Sequence, residues 1–419
     1  MKNVALIWEL GAGLYHVDQL KPIYRAVQTE EELTPKLLVK SPQLFSESNG
    51  FSDSDVYACP KYNHALRNFT TFHYADILFT VGYHSPHTLI SLINAWLVLL
   101  RSLEIKFAVT DYSPTAILAC RILGIPVLTI GGGYFTPPNI PSCPFLVPQN
   151  LLSNQTLVTQ SRRREEHVLH NVNTVLTSFQ KATVASIGEI YSQAQHMVME
   201  LKSVDNYGTH RAAKDIYVGA LRSGDAKTAR MDKDLKGCFD LQQYGFATMS
   251  QPTVFVYIKS HTKYFKAFMD AVRELDHINW LVFVSSPDKN QELPKYAHCY
   301  FSTKPLPVEE ILPQVDAVMC HAGRGTIMQS LLQKKPLCLM PEQLEQMVNT
   351  TTLCNQGVAT RISSTFCAQD LKQQISKLLE SSKTIRQLKK LSQEITHSSS
   401  QDSTALVSDY IKKTLALSK

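Results

Sequence analysis

The sequence predicts an α/β protein of two Rossmann-like lobes, each a parallel sheet flanked by helices. Three observations predict it. Strands and helices alternate along the chain, as they do when a sheet is parallel. One unit recurs in both halves: strand, polar turn, helix, breaker with proline, strand. The 419 residues leave room for two or three domains at roughly 150 residues each.

In the first half, Val4 to Leu10 reads as a short apolar strand ending at Gly11-Ala12-Gly13, with a helix from about Val17 to Val27. Phe107 to Thr110 is a strand. Pro114 to Leu123 is a helix whose proline falls in the first turn, where a missing N–H costs little. Gly124-Ile125-Pro126 breaks it before a strand at Val127 to Ile130. In the second half, Thr253 to Ile258 and Leu281 to Val284 are buried-type strands. Ala317 to Cys320 is a strand leading through a Gly-rich turn into a helix from about Thr326 to Gln333. Lys334-Lys335-Pro336 then precedes a strand at Leu337 to Met340. A right-handed crossover accounts for both halves.

The expected organisation is a first lobe over 1–221, a polar linker over 222–252, a second lobe over 253–380 and C-terminal helices over 381–419 that pack back across the lobes. Ligands of open α/β sheets bind beyond the carboxyl ends of the strands, so two facing sheets would enclose a cleft.

Composition narrows the function classes. An apolar fraction of 44% with 19% charged residues fits a globular chain and excludes a disordered one. A net charge of +6 suits an anionic ligand, leaves room for contact with an anionic membrane, and falls short of a nucleic-acid footprint. The run Arg162-Arg163-Arg164 meets Glu165-Glu166 at once and reads as a solvated helix face. Nine scattered cysteines with no C-x-x-C pair indicate neither zinc nor a disulfide framework, and a reducing cytoplasm is the expected setting. Met1 to Leu10 lacks the layout of a signal peptide. Thr88 to Leu100 is apolar but too short to span a bilayer, and reads as a core helix. Asp53-Ser54-Asp55 lies in a Ser-rich loop and reads as a surface turn rather than a metal site; no metal or resident cofactor is expected.

The strongest local signal is His321-Ala322-Gly323-Arg324-Gly325-Thr326, between a strand and a helix. Two glycines let backbone approach a ligand, and the helix start offers N–H groups and a positive dipole end. That combination binds phosphate. His321 and Thr326 add donors and Arg324 adds charge; the plainer reading is a capped tight turn. Glu345 and Gln346 follow the next strand, side by side, as a carboxylate and an amide suited to sugar hydroxyls.

From Leu306 to Ala359 the chain resembles the donor-binding signature of the UDP-glycosyltransferase superfamily. Its parts are Pro307 to Leu312, the His321–Thr326 turn, Leu331 to Pro336, Pro341 with Glu345, Gln346 and Asn349, and Gln356-Gly357-Val358. The resemblance extends to family 1-like inverting enzymes and to the bacterial MurG-like and macrolide-type glycosyltransferases. It implies a GT-B fold and a nucleotide-sugar donor held by Ser260, Leu306, His321, Gly323, Arg324, Gly325, Thr326, Gln329, Glu345 and Gln346. There are departures. Ala322 stands where the family has Gly, Gln329 where it has a ribose-binding Glu, and no aromatic base platform accompanies Pro305 and Val308. UDP is the leading nucleotide and dTDP the second.

Sugar transfer needs a base for the acceptor hydroxyl, and a His suits that task. His16 follows the first strand and Asp111 the strand at Phe107, so both fall at one sheet edge, where Asp would fix the imidazole tautomer. Taken singly, each reads as readily as a helix-cap residue. Together they resemble the His–Asp dyad of inverting members, with Tyr15 in place of the usual Gly. The resemblance implies an inverting, metal-independent in-line transfer of a hexose. Gly13, Tyr15, Tyr134, Phe135 and Phe145 are the expected acceptor-side residues, hinting at an apolar small molecule or lipid, with a peptide or sugar chain equally open. A donor epimerase or hydrolase on the same fold, or a non-catalytic nucleotide-sugar binder, is the alternative. A dehydrogenase lacks its G-x-G-x-x-G with a downstream acid.

Overall fold

The computed structural model describes residues 1–11, 15–64, 69, 71–147, 152–219, 244, 246, 250–286, 293–398 and 402–417. Gly13 and most of the 222–252 linker lie outside the described residues. The chain forms two compact units, Met1–Gly224 with Ser398–Lys419, and Asp225–His397.

The first unit runs β1 (Lys2–Trp8), α1 (Tyr15–Gln28), β2 (Leu33–Val39), β3 (Val56–Ala58), α2 (Tyr74–Leu78), α3 (Pro86–Ser102), β4 (Ile105–Asp111), α4 (Pro114–Leu123), β5 (Val127–Gly131), α5 (Gln155–Ser178), β6 (Gln195–Val198) and β7 (Ile216–Tyr217). Its sheet is parallel with order β3-β2-β1-β4-β5-β6-β7. The central strands are continuous apolar runs because both faces are covered: Val4 to Ile7 are fully buried. Pro35 sits opposite Val4 of β1, and pairing with β3 begins only at Leu37, so its missing N–H interrupts no ladder on the β3 side. The apolar run at Thr88–Leu100 is α3, which buries Leu89, Ile93, Trp96, Leu97 and Leu100. Among the described residues no helix is long and apolar enough to cross a membrane.

The second unit runs β8 (Thr253–Lys259), α6 (Phe265–Glu274), β9 (Asn279–Ser285), β10 (Cys299–Ser302), α7 (Val308–Ile311), β11 (Ala317–Cys320), α8 (Arg324–Leu332), β12 (Leu337–Leu339), α9 (Leu344–Asn355), β13 (Ala359–Arg361), α10 (Ala368–Glu380) and α11 (Ser382–Ser398). Its sheet is also parallel, in the order β10-β9-β8-β11-β12-β13. The last helix, α12 (Ser403–Leu417), belongs to the first unit. There Val407, Ile411 and Leu415 join the core of β1, α1 and β4, and Lys2 Nζ donates to the Leu415 carbonyl at 2.8 Å.

The two strand orders have the same consequence. The order reverses between β1 and β4 in the first unit, and between β8 and β11 in the second. Loops diverge at that point and open a crevice at the carboxyl ends. The residues that follow β1 and end β4, and those that follow β8 and β11, are therefore the ones the fold presents.

The basic run at Arg162 is not a solvated face. Arg162 pairs with Glu165 at 2.6 Å and donates to the Cys143 carbonyl, while Arg164 pairs with the fully buried Asp76 at 2.6 Å. Only Arg163 of the three points to solvent. The buried acids Asp76 and Glu165 demand these partners. Asp53–Asp55 forms a single helical turn, and Asp55 bonds Lys36 at 2.9 Å and Tyr24 at 3.0 Å.

Candidate active site

In the first unit, β1 ends at Trp8 and α1 begins at Tyr15, which puts His16 in the first turn of the helix. Asp111 is the last residue of β4. Their meeting across the strand-order reversal is direct: His16 Nδ1 lies 2.7 Å from Asp111 Oδ2, with side-chain exposures of 3% and 0%. A carboxylate only accepts, so Nδ1 carries the proton and the lone pair resides on Nε2. No described residue hydrogen-bonds Nε2. A ring fixed this way is set up to take a proton.

The surroundings hold that geometry. Trp8 stacks on the imidazole at 4.8 Å between centroids, Phe135 lies at 5.6 Å, and Tyr15 meets it edge-on at 5.5 Å. Tyr112, at φ +48, turns the chain after β4 and stacks on Phe135 at 4.4 Å. Two glycines make the approach feasible. A Cβ on Gly11 would stand 2.7 Å from His16 Nε2, and one on Gly131 would stand 2.7 Å from Asp111 Oδ1; both have positive φ. Of the expected acceptor-side residues, Tyr134 and Phe135 are buried in this aromatic group and Tyr15 borders it. Phe145 is elsewhere, stacked on His73 at 5.4 Å with the Arg162 guanidinium 4.0 Å from its centroid.

A second layer of polar groups supports the pair. The Glu9 carboxylate accepts the Thr115 and Ala116 N–H groups at the start of α4, at 2.9 and 3.3 Å. Burial pushes its pKa up to about 7, against the lowering effect of those bonds and of Lys40. Arg211, with a side chain 3% exposed, pairs with Asp205 at 2.8 Å and donates to the Gly133 and Thr136 carbonyls at 2.6 Å, pinning the loop that carries Tyr134 and Phe135. Trp8, Glu9, Tyr112, Gly131 and Arg211 are absent from the sequence-derived site. Only Gly131, in its Gly-Gly-Gly run, carried a local signal.

In the second unit, the turn after β11 presents the start of α8. Gly323 is the N-cap with no side-chain cap bond, and Ile327 N–H is the helical donor that returns to the Gly323 carbonyl. The N–H groups of the preceding turn have no partner within the helix. Nothing lies within 4 Å of a Cβ built on Gly323, so this approach is open. Ala322 has φ +60, the conformation for which Gly is favoured. Thr326 is half-buried, and Gly323 and Gly325 are exposed.

The flanking side chains depart from the expected picture. His321 is 3% exposed, and burial lowers its pKa. Nε2 accepts the Lys259 N–H at 3.1 Å, and Nδ1 lies 3.1 Å from the Met340 carbonyl, to which it must donate. The ring therefore ties the ends of β8, β11 and β12 together, and in this arrangement neither nitrogen offers a ligand a proton. Arg324, 7% exposed, gives its Nε–H to Glu345 at 3.0 Å. Gln346 Oε1 accepts the N–H groups of Glu342 and Gln343 and so caps its own helix. Ser260 donates its hydroxyl to the Ser286 carbonyl. The Gln329 amide reaches Glu309 at 3.4 Å, and Leu306 is half-buried just before α7. Among the described residues no group of three or more His, Cys, Asp or Glu is placed to hold a metal ion.

Residues 284–404 match the glycosyltransferase family 28 C-terminal domain. No curated protein matches the chain. Solved structures match nearly end to end. The glycotransferase of kitacinnamycin is 16% identical with a TM-score of 0.68, covering 98% of each chain. Spinosyn rhamnosyltransferase SpnG, complexed with spinosyn aglycone, is 15% identical with a TM-score of 0.64, over 96% of this chain and 98% of that one. Glycosyltransferase VinC, in complex with dTDP, is 12% identical with a TM-score of 0.62, over 98% and 100%. The chain thus shares the GT-B fold of these solved glycosyltransferases, and residues 284–404 carry the match to the family 28 C-terminal domain.

Proposed function

We propose that this protein transfers a hexose from a UDP- or dTDP-sugar to an acceptor hydroxyl, with inversion and without a metal. The observation that carries the reading is the buried His16–Asp111 pair at 2.7 Å, placed where β1 and β4 diverge. Nε2 takes the acceptor proton as oxygen attacks the anomeric carbon, and Asp111 stabilises the imidazolium that forms. The C–O bond to the diphosphate breaks as the new glycosidic bond forms. The leaving diphosphate is received by the N–H groups and dipole of α8, which do the neutralising a metal would otherwise do.

His321 then acts as a positioning residue, since it fastens the strand ends beneath that turn. Glu345 is the sugar-binding carboxylate, held by Arg324, and Gln346 must exchange its capping bonds for sugar hydroxyls. The dTDP bound to VinC and the aglycone bound to SpnG favour a nucleotide donor and a small-molecule acceptor. The absence of an aromatic beside Pro305 leaves the base less constrained, so both nucleotides belong in the test. That test is incubation of the full chain with UDP- and dTDP-hexoses and a panel of phenolic acceptors, with products read by mass. A hexosylated acceptor made by wild type and not by His16→Ala supports the reading. Free hexose alone, at equal rates with and without acceptor, indicates a donor hydrolase instead.

A further inference from the structure

The carboxyl ends of β1, β2 and β3 lead to Glu9, Lys40 and Lys61. Lys40 is half-buried, and its Nζ donates to the Gly11 carbonyl at 2.6 Å. Gly11 is the residue packed against His16 Nε2. Lys61 Nζ in turn donates to the Lys40 carbonyl at 3.2 Å. Among the described residues neither lysine forms an ion pair with a carboxylate. Glu9, the nearby acid, gives its Oε2 to the N–H groups at the start of α4 and is itself pushed toward the neutral form by burial. Desolvation first, and then the charge of Lys61, press the Lys40 ammonium toward losing its proton, against a smaller opposing pull from Cys59 and Glu9. Among the described residues Lys40 is a partly desolvated cation bonded to a carbonyl, with a second cation beside it, and such a cation gains from an arriving anion.

We propose that Lys40 and Lys61 form an anion subsite next to His16, so that the acceptor is a hydroxyl compound bearing a carboxylate or phosphate. The ammonium of Lys40 keeps donors in hand beyond the one given to Gly11. This rests on the reading of His16 as the acceptor-side base. It deepens that reading by naming the acceptor's charge, because the anionic group would be gripped one residue contact away from Nε2.

The test is calorimetric titration of the full chain, without donor, with 4-hydroxybenzoate, 4-hydroxyphenyl phosphate and neutral 4-hydroxybenzamide. Both anions are expected to bind at least about tenfold tighter than the amide, the size of one partly buried ion pair. Lys40→Gln should erase the preference, Lys61→Gln should reduce it, and Lys40→Arg should keep it. Lys61 is exposed, so its variant reads the subsite even where Lys40→Gln loosens the Gly11 loop. Equal affinities for all three, no binding of any, or a preference untouched by both Gln variants would overturn the proposal. A preference for phosphate alone identifies the anion as a phosphate. Because binding is read without donor, failed transfer with a preserved anion preference would count against the transferase reading only, and transfer to neutral acceptors alone would count against the subsite only.

Discussion

Replacing Asp111 with Asn is the sharpest probe of the His–Asp pair. The side chain is fully buried and its Oδ2 sits 2.7 Å from His16 Nδ1, so Asn fits the space while removing the charge and exchanging one acceptor oxygen for an NH₂ donor. Two effects add. A hydrogen bond to a charged group is worth about 1.5–3 kcal/mol, and that share of imidazolium stabilisation is lost. At 1.36 kcal/mol per tenfold, the bond alone accounts for a drop in kcat of about 10- to 100-fold. If the Asn amide turns its NH₂ toward Nδ1, it imposes the tautomer with the proton on Nε2, and the loss grows toward about 10⁴-fold, the size seen when a triad Asp is so replaced. Donor affinity should stay unchanged, because the proposed diphosphate site is in the other unit. The assay is steady-state kcat and KM for both substrates at several pH values, with thermal unfolding as the control for folding. A variant that folds normally and keeps kcat within about threefold of wild type would refute the claim that His16 is the base.

Three other outcomes follow from the geometry. Gly323→Asp has an open site and an N-cap position, so it should leave thermal stability equal or slightly higher while cutting nucleotide affinity at least about tenfold by calorimetry, since its carboxylate meets the diphosphate. Ala322→Gly relieves a positive φ and should raise urea-unfolding stability by about 0.5–1 kcal/mol. Glu9 is raised from 4.5 to about 7 in the folded chain, so the native state binds the extra proton between those values. Stability from this group is therefore fully present below about 4.5 and lost as pH rises toward about 7, by up to roughly 3 kcal/mol. Glu9→Gln should flatten that part of the pH profile relative to wild type, and parallel profiles would contradict the assignment.

The central strands were legible because burial on both faces writes them as unbroken apolar runs. β1, β4, β5, β8, β11 and β12 stand within a residue or two of where the sequence puts them. The edges were not legible. β3 is Val-Tyr-Ala, β7 is two residues and β13 is Ala-Thr-Arg, too short and mixed to show a period, and Pro35 disguises β2. The same limit governs the site. His16, Asp111 and the α8 turn follow from strand ends, which a linear pattern locates. The partners of His321, Arg324 and Gln346 depend on how neighbouring strand ends and helix starts meet in space, and spacing does not encode that. The basic run at Arg162 shows the same blindness, because its acids lie 88 residues away at Asp76 as well as next door at Glu165.

The most direct measurement is proton NMR of the anomeric signals while the full chain acts on α-linked UDP- and dTDP-glucose with a phenolic acceptor, alongside His16→Ala. The account predicts that the donor's α signal gives way to a β-glycoside of the acceptor with wild type, and that His16→Ala leaves the donor intact over the same period. An α-glycoside, or a β-glycoside formed as fast by His16→Ala, would contradict it.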